Sequence, residues 1–221
     1  MSQFGIPNVL GDPVLELHGP AGFVTIVNDN WGETQAAEIQ ATGVPPTDDL
    51  ESAIAVTLNP GAYTAILRGK NNASGVALIE VYDLNQEASK LANLSTRAFV
   101  STGDDLVIAG FLLSNGGGSD RIVVRGVGPS LAPGMLPVGA VLADPTVELR
   151  DVNGTLLMSN NDWQDNPAEA AEITAAGLAL SNTRESGMAA TLAPGLYTAL
   201  LTGRFNGTGI GVVEVYDLGA P

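Results

Sequence analysis

An all-β fold is predicted: two duplicated antiparallel β-sandwich units, jelly-roll-like, with a short helix in each and a shared middle strand block. The first ground is an internal repeat. Set against residues 142 to 163 and 170 to 218, residues 10 to 31 and 36 to 84 are identical at 33 of 71 positions. The second is rhythm, because short β-branched and apolar runs recur between Gly, Pro and Asn turn signals, too closely for the long helices of a parallel α/β sheet. The third is composition: 45% hydrophobic residues with 27 Gly and 13 Pro give a packed core and many turns.

The repeat divides the 221 residues into a first unit, 1–88, and a second, 89–221, the latter containing a block, 89–130, that occurs once. In the first unit, 14–17 and 23–27 read as a hairpin, 34–41 as a helix, and 52–58, 61–68 and 76–84 as strands. The unique block contributes 97–101, 106–113 and 121–127, the last two joined by a glycine hairpin at 115–120. The second unit repeats the first: a hairpin of 146–150 and 155–159 about Asn153-Gly154, a helix over 168–176, then strands 186–192, 196–203 and 210–218. Asn166-Pro167 suits an N-cap followed by proline in the first helical turn, and Gly43 and Gly177 suit helix stops. Each helix is expected to cap one end of a sheet.

With 24 acidic against 9 basic residues the formal charge is −15, and no basic cluster exists, so nucleic acid and anionic membrane surfaces are excluded as partners. Membrane insertion is excluded as well, since no run approaches the ~20 apolar residues of a span. Zero Cys and a single His, His18, remove disulfides, thiol chemistry, Cys-ligated metals and any two-histidine apparatus. The start of the chain lacks a charged n-region and apolar run. Few lysines with abundant Gly, Pro, Asn, Thr and Ser favour an extracellular or cell-surface location. Four sequons occur, at Asn72, Asn93, Asn153 and Asn206, of which the two Asn-Gly-Thr sequences, at Asn153 and Asn206, are also good turns.

Within the repeats, Pro60-Gly61-Ala62-Tyr63-Thr64 and Pro194-Gly195-Leu196-Tyr197-Thr198 set a tyrosine just after a tight turn, where its ring can bury and its hydroxyl return to the corner. Trp31 and Trp163 follow Asx-rich turns and are read either as core plugs or as stacking platforms for sugar rings. Asp29, Asn30, Asp162 and Asp165 carry the hard oxygens that calcium prefers, the cofactor considered, yet match no EF-hand spacing; helix-capping Asx turns explain them equally. Glu51, Glu185, Glu80 and Glu214 recur as carboxylates. A hydrolase using Glu51 or Glu185 as acid has no cleft signal behind it, and duplicated positions argue for scaffold, so the chain is read as not an enzyme. The glycine triplet and Gly126-Val127-Gly128-Pro129 lack the Lys-Ser/Thr of a P-loop.

The series Asp-Pro-x-Val/Leu-Glu-Leu, Asn-Asp-x-Trp, Glu-Ser, Leu-x-Pro-Gly-x-Tyr-Thr and Glu-Val-Tyr-Asp-Leu resembles tandem β-sandwich repeats of large bacterial cell-surface and secreted proteins. It is also distantly similar to bacterial pre-peptidase C-terminal (PPC-like) domains. The resemblance implies non-catalytic, extracellular modules.

About five strands serve each repeat and three more come from the unique block, enough to close one sandwich and leave an open sheet edge in the other. The expectation is an extracellular structural protein that self-assembles head to tail into a filament or surface layer by strand complementation, its partner being itself. Phe4, Ile6, Val9 and Leu10 near the start and Phe99, Leu106, Ile108 and Phe111 in the unique block are the candidate assembly residues. The alternatives are a monomeric calcium-dependent carbohydrate-binding or adhesive module, with cell-surface glycans as partners, and a cut from a longer tandem array.

Overall fold

The computed structural model describes residues 5–85, 91–114, 118–132 and 136–220. Its chain separates into two units, Met1–Ser89 and Lys90–Pro221.

In the second unit all eight strands expected from the sequence form. Asn93–Val100 (β4), Val107–Leu113 (β5) and Asp120–Val127 (β6) come from the unique block. Pro145–Asp151 (β7), Leu156–Asn160 (β8), Ser186–Leu192 (β9), Gly195–Gly203 (β10) and Gly209–Asp217 (β11) come from the repeat. They form two four-stranded antiparallel sheets, in the orders β5-β10-β7-β8 and β4-β11-β6-β9. Val124, Val147, Leu149, Met188, Leu201 and Val213 meet between the sheets at 0% exposure. A second apolar cluster lies on the outer face of the β4-β11-β6-β9 sheet, where the helix Pro167–Ala175 packs Ile173 against Trp163, Leu180 and Ala189. The helix therefore covers a sheet face, not the sheet end expected. Its start is the one read from sequence: Asn166 accepts from the Ala168 amide at 3.1 Å, with Pro167 following.

β5 and β6 lie in different sheets, so the glycine-rich segment between them is a crossover rather than a hairpin. Local turn chemistry marks a change of direction without choosing the sheet the chain enters next. Residues 115–117 themselves are outside the described residues.

The first unit reproduces only one of these layers. Pro13–His18 (β1), Ile26–Asn28 (β2) and Thr64–Gly69 (β3) pair as β2-β1-β3, the counterpart of β8-β7-β10. The helix Ala36–Ala41 (α1) is shorter than Pro167–Ala175 (α2), and Gln35 at its N-cap position makes no side-chain capping bond. Local details are otherwise copied closely. A left-handed residue sits after each sheet at Asn71 and Phe205, both with φ 55°. The tyrosine hydroxyls donate to the carbonyl four residues back, Tyr63 to Asn59 at 3.0 Å and Tyr197 to Ala193 at 2.9 Å. The strands expected at 52–58 and over most of 76–84 do not form; Val76 alone makes an isolated bridge, to Val9. Their counterparts β9 and β11 hydrogen-bond to β6 and β4, and the chain holds one copy of those partners, already paired in the second unit.

Candidate assembly site

The missing layer leaves apolar side chains in water. Val81 is 54% exposed where Val215 is 5%, and Leu58 is 38% exposed where Leu192 is 8%. Leu15, Leu17, Ala65 and Leu67, on the face that corresponds to the buried core, are half-buried, while Val147, Leu149, Ala199 and Leu201 in their places are fully buried. Among the described residues of the first unit only Ile39 is a buried hydrophobic. Monomeric globular proteins seldom leave large contiguous apolar surface in contact with water.

The two bare segments are nevertheless anchored as β9 and β11 are. Trp31 N donates to Glu51 O at 2.9 Å, as Trp163 N does to Glu185 O at 2.8 Å. Ala53 N donates to Asn28 Oδ1 at 2.9 Å, as Gly187 N does to Asn160 Oδ1 at 2.9 Å. Leu10 N donates to Val76 O and Leu142 N to Ile210 O, both at 2.9 Å.

Two polar constellations of the second unit depend on the unique block, and sequence reasoning missed both. The fully buried Glu185 carboxylate accepts from Gly128 N at 3.2 Å, Ser130 N at 3.0 Å and the Ser130 hydroxyl. Arg125 on β6 donates through Nε to Glu214 at 2.8 Å and through a terminal nitrogen to the Tyr216 hydroxyl at 3.3 Å, and carries its second terminal nitrogen to Leu178 O at 2.8 Å. In the first unit Glu51 instead accepts from Thr47 N and Asp48 N at 3.1 and 3.3 Å. Glu80 accepts from the Tyr82 hydroxyl, and that bond, followed by desolvation, raises the tyrosine pKa. The signal was present as glutamates repeated in both units beside an arginine and a serine that occur once.

The assembly candidates separate into two groups. Phe99 on β4 and Ile108 on β5 are 61% and 51% exposed, joined by Leu112 at 63%, and both strands are sheet edges. Leu106 is half-buried, and Phe111 stacks on Tyr197 with ring centroids 5.6 Å apart, packing against the core. Val9 pairs with Val76 in a parallel bridge whose hydrogen bonds are made by Asn8 O and Leu10 N within their own unit, and Ile6 is half-buried. Phe4 is outside the described residues.

Trp163 is 6% exposed and packed within the outer-face cluster, whereas Trp31 is half-buried with its indole nitrogen donating to Asp48 O at 3.2 Å. One edge of Trp163 borders a shallow depression of about 590 Å³ along α2. The oxygen-ligand candidates are divided between the units; Asp29 and Asp162 carry cationic partners, while Asn30 donates its side-chain amide to Glu33 at 2.9 Å. Asp29 lies 2.6 Å from the Lys70 ammonium, whose pKa is raised chiefly by that bond, and Asp162 lies 3.7 Å from the Arg204 guanidinium. Asp162 and the exposed Asp165 line an open cleft of about 460 Å³ with Asp144, Arg184 and Arg204. No group of three or more His, Cys, Asp or Glu placed to hold a metal occurs among the described residues. No helix among them is long and apolar enough to cross a membrane.

No family model and no curated protein matches the chain. Among solved structures the chain is similar to the pre-peptidase C-terminal domain of a collagenase from Bacillus anthracis. That match has a TM-score of 0.33 and 12% identity, and covers 57% of this chain and 88% of the domain.

Proposed function

We propose that this is a non-enzymatic extracellular structural protein that assembles head to tail, its incomplete first unit accepting β-structure from the next copy. The observation that carries the reading is the contrast between 76–84, outside any sheet, and the same residues in the second unit, where they form the inner strand β11 beside β4. Every strand of the unique block is already paired at home, so withdrawing it would open one unit for each it closed. What a copy can offer without loss is the outer edge of β4, with Phe99 exposed beside it and Ile108 and Leu112 on the neighbouring edge β5. Segment 76–84 laid along that edge has the neighbour its sequence suits. Each chain then has one acceptor and one donor, and such a heterologous contact propagates as a filament unless its rotation closes a ring. The charge of −15 keeps filaments dispersed.

Sedimentation and electron microscopy test this on the purified chain. Concentration-dependent filaments that Phe99→Asp abolishes, with the monomer still folded, are expected; monodisperse monomers at every concentration reject the proposal.

A second reading, glycan binding, gains one observation. Phe205 is 87% exposed with the Arg204 guanidinium 4.9 Å from its ring centroid, and Arg204 also lines the acidic cleft. Glycan-array binding lost in Phe205→Ala, with the chain monomeric throughout, would favour it.

A further inference from the structure

In the second unit β6 lies between β9 and β11 and is antiparallel to both. Of all the contacts the first unit lacks, this strand's are the most specific. We infer that the place between 52–58 and 76–84 is a binding site for an extended peptide strand of the β6 pattern, Arg-Gly-x-Gly-x-Ser preceded by a run of three apolar residues, presented by another polypeptide.

Three features define the ligand. The residue in the Arg125 position falls between Ala53 and Glu80, the counterparts of its neighbours Gly187 and Glu214, so a guanidinium there reaches the Glu80 carboxylate and the Tyr82 hydroxyl. The next residue must be glycine. A Cβ at Gly126 would stand 2.5 Å from Val147 Cγ2 and 3.0 Å from Leu201 Cδ1, and Leu15 and Leu67 occupy those places in the first unit. The Gly-x-Ser that follows brings two amides and a hydroxyl to a carboxylate, the role that Gly128 and Ser130 perform for Glu185; Glu51, the counterpart of Glu185, would exchange its bonds to Thr47 N and Asp48 N for them. The two residues before the Arg-Gly pair fall beside Val81 and Tyr82 on one wall and Ile54 and Ala55 on the other. Main-chain bonds on both edges then supply affinity while these side chains supply selectivity. A second copy of the chain is a poor donor because its own β6 is paired on both sides. The donor therefore belongs to a polypeptide whose strand of this pattern has no sandwich of its own.

This site deepens the assembly reading without depending on the same contact, because it uses the edge of 76–84 opposite to the one offered to β4. The test adds a synthetic peptide of residues 119–131 to the full chain, kept dilute enough to be monomeric, and follows binding by calorimetry and hydrogen exchange. Saturable one-to-one binding is expected, with exchange slowed at 52–58 and 78–83. Peptides carrying Arg125→Leu or Gly126→Val, or a chain carrying Glu80→Gln, should bind about tenfold more weakly or worse. No binding, equal binding of the altered peptides, or protection confined to the second unit overturns the inference. Filaments without peptide binding remove this site alone; peptide binding without filaments removes only the head-to-tail contact.

Discussion

Leucine truncation at matched repeat positions separates a closed sandwich from an open one. Leu201 and Leu67 are the same residue on equivalent strands, β10 and β3, and pair with Val147 and Leu15 respectively. Leu201 is 0% exposed among Val147, Leu149, Met188 and Val213. Its replacement by Ala removes about three methylene equivalents, at ~0.8 kcal/mol each, and leaves a cavity in a rigid core, for a cost of about 3 to 4 kcal/mol. Leu67 is half-buried against a face with no second sheet over it, so less area returns to water and no enclosed cavity forms. Its truncation costs about 1 kcal/mol. Urea unfolding of fluorotryptophan-labelled protein, followed by 19F NMR, reads the units separately because Trp31 and Trp163 report one each. Leu201→Ala should lower the midpoint of the Trp163 resonance strongly, and Leu67→Ala should move the Trp31 midpoint about a third as far. Equal losses would mean that the first unit is sealed and the reasoning fails. Under assembling conditions the cost of Leu67→Ala should rise towards that of Leu201→Ala.

Glu185→Ala orphans two amides and a hydroxyl in the interior and should destabilise the second unit by about 3 kcal/mol, whereas Glu51→Ala should cost under about 1 kcal/mol; denaturant midpoints for the two units decide this. Asp151 is held below the usual aspartate range mainly by the Thr155 amide, with Asn153 adding to it. A lowered carboxyl contributes stability above its unfolded value that is lost as pH falls through the folded one, so the β7–β8 turn should hold until below the ordinary aspartate range. An NMR titration of the Asn153 and Thr155 amides should follow that low midpoint, and Asp151→Ala should remove the transition. Phe205→Asn installs the residue type that Asn71 shows to suit φ 55° and exposes no less polar surface, so it should stabilise the second unit by about 0.5 to 1 kcal/mol in thermal unfolding.

The strands of the second unit were legible in its sequence because each of them finds a partner, although β5 and β6 enter different sheets and do not form the expected hairpin. The hairpin about Gly154, the Asn166-Pro167 helix start and both tyrosine corners are local signals that nothing overrides. The first unit was misread for the opposite reason. Ile54 and Val81 carry the same strand pattern as Met188 and Val215, but a strand requires a neighbour, and neighbours are set by the whole chain's inventory. Sequence arithmetic noted the shortage of strands yet did not say which segments would go without. The structure assigns it to the counterparts of β9 and β11, whose partners β6 and β4 are already taken. Arg125 and Ser130 were overlooked because repetition drew notice to the glutamates, while the groups that bind them occur once.

Amide hydrogen exchange across 76–84 tests the central claim most directly. In dilute monomer these amides, apart from that of Val76, which donates to Asn8 O at 2.8 Å, should exchange far faster than those of Gly209–Asp217, and on assembly they should slow towards the same rates. Protection of 76–84 already equal to that of β11 in the monomer would contradict the account.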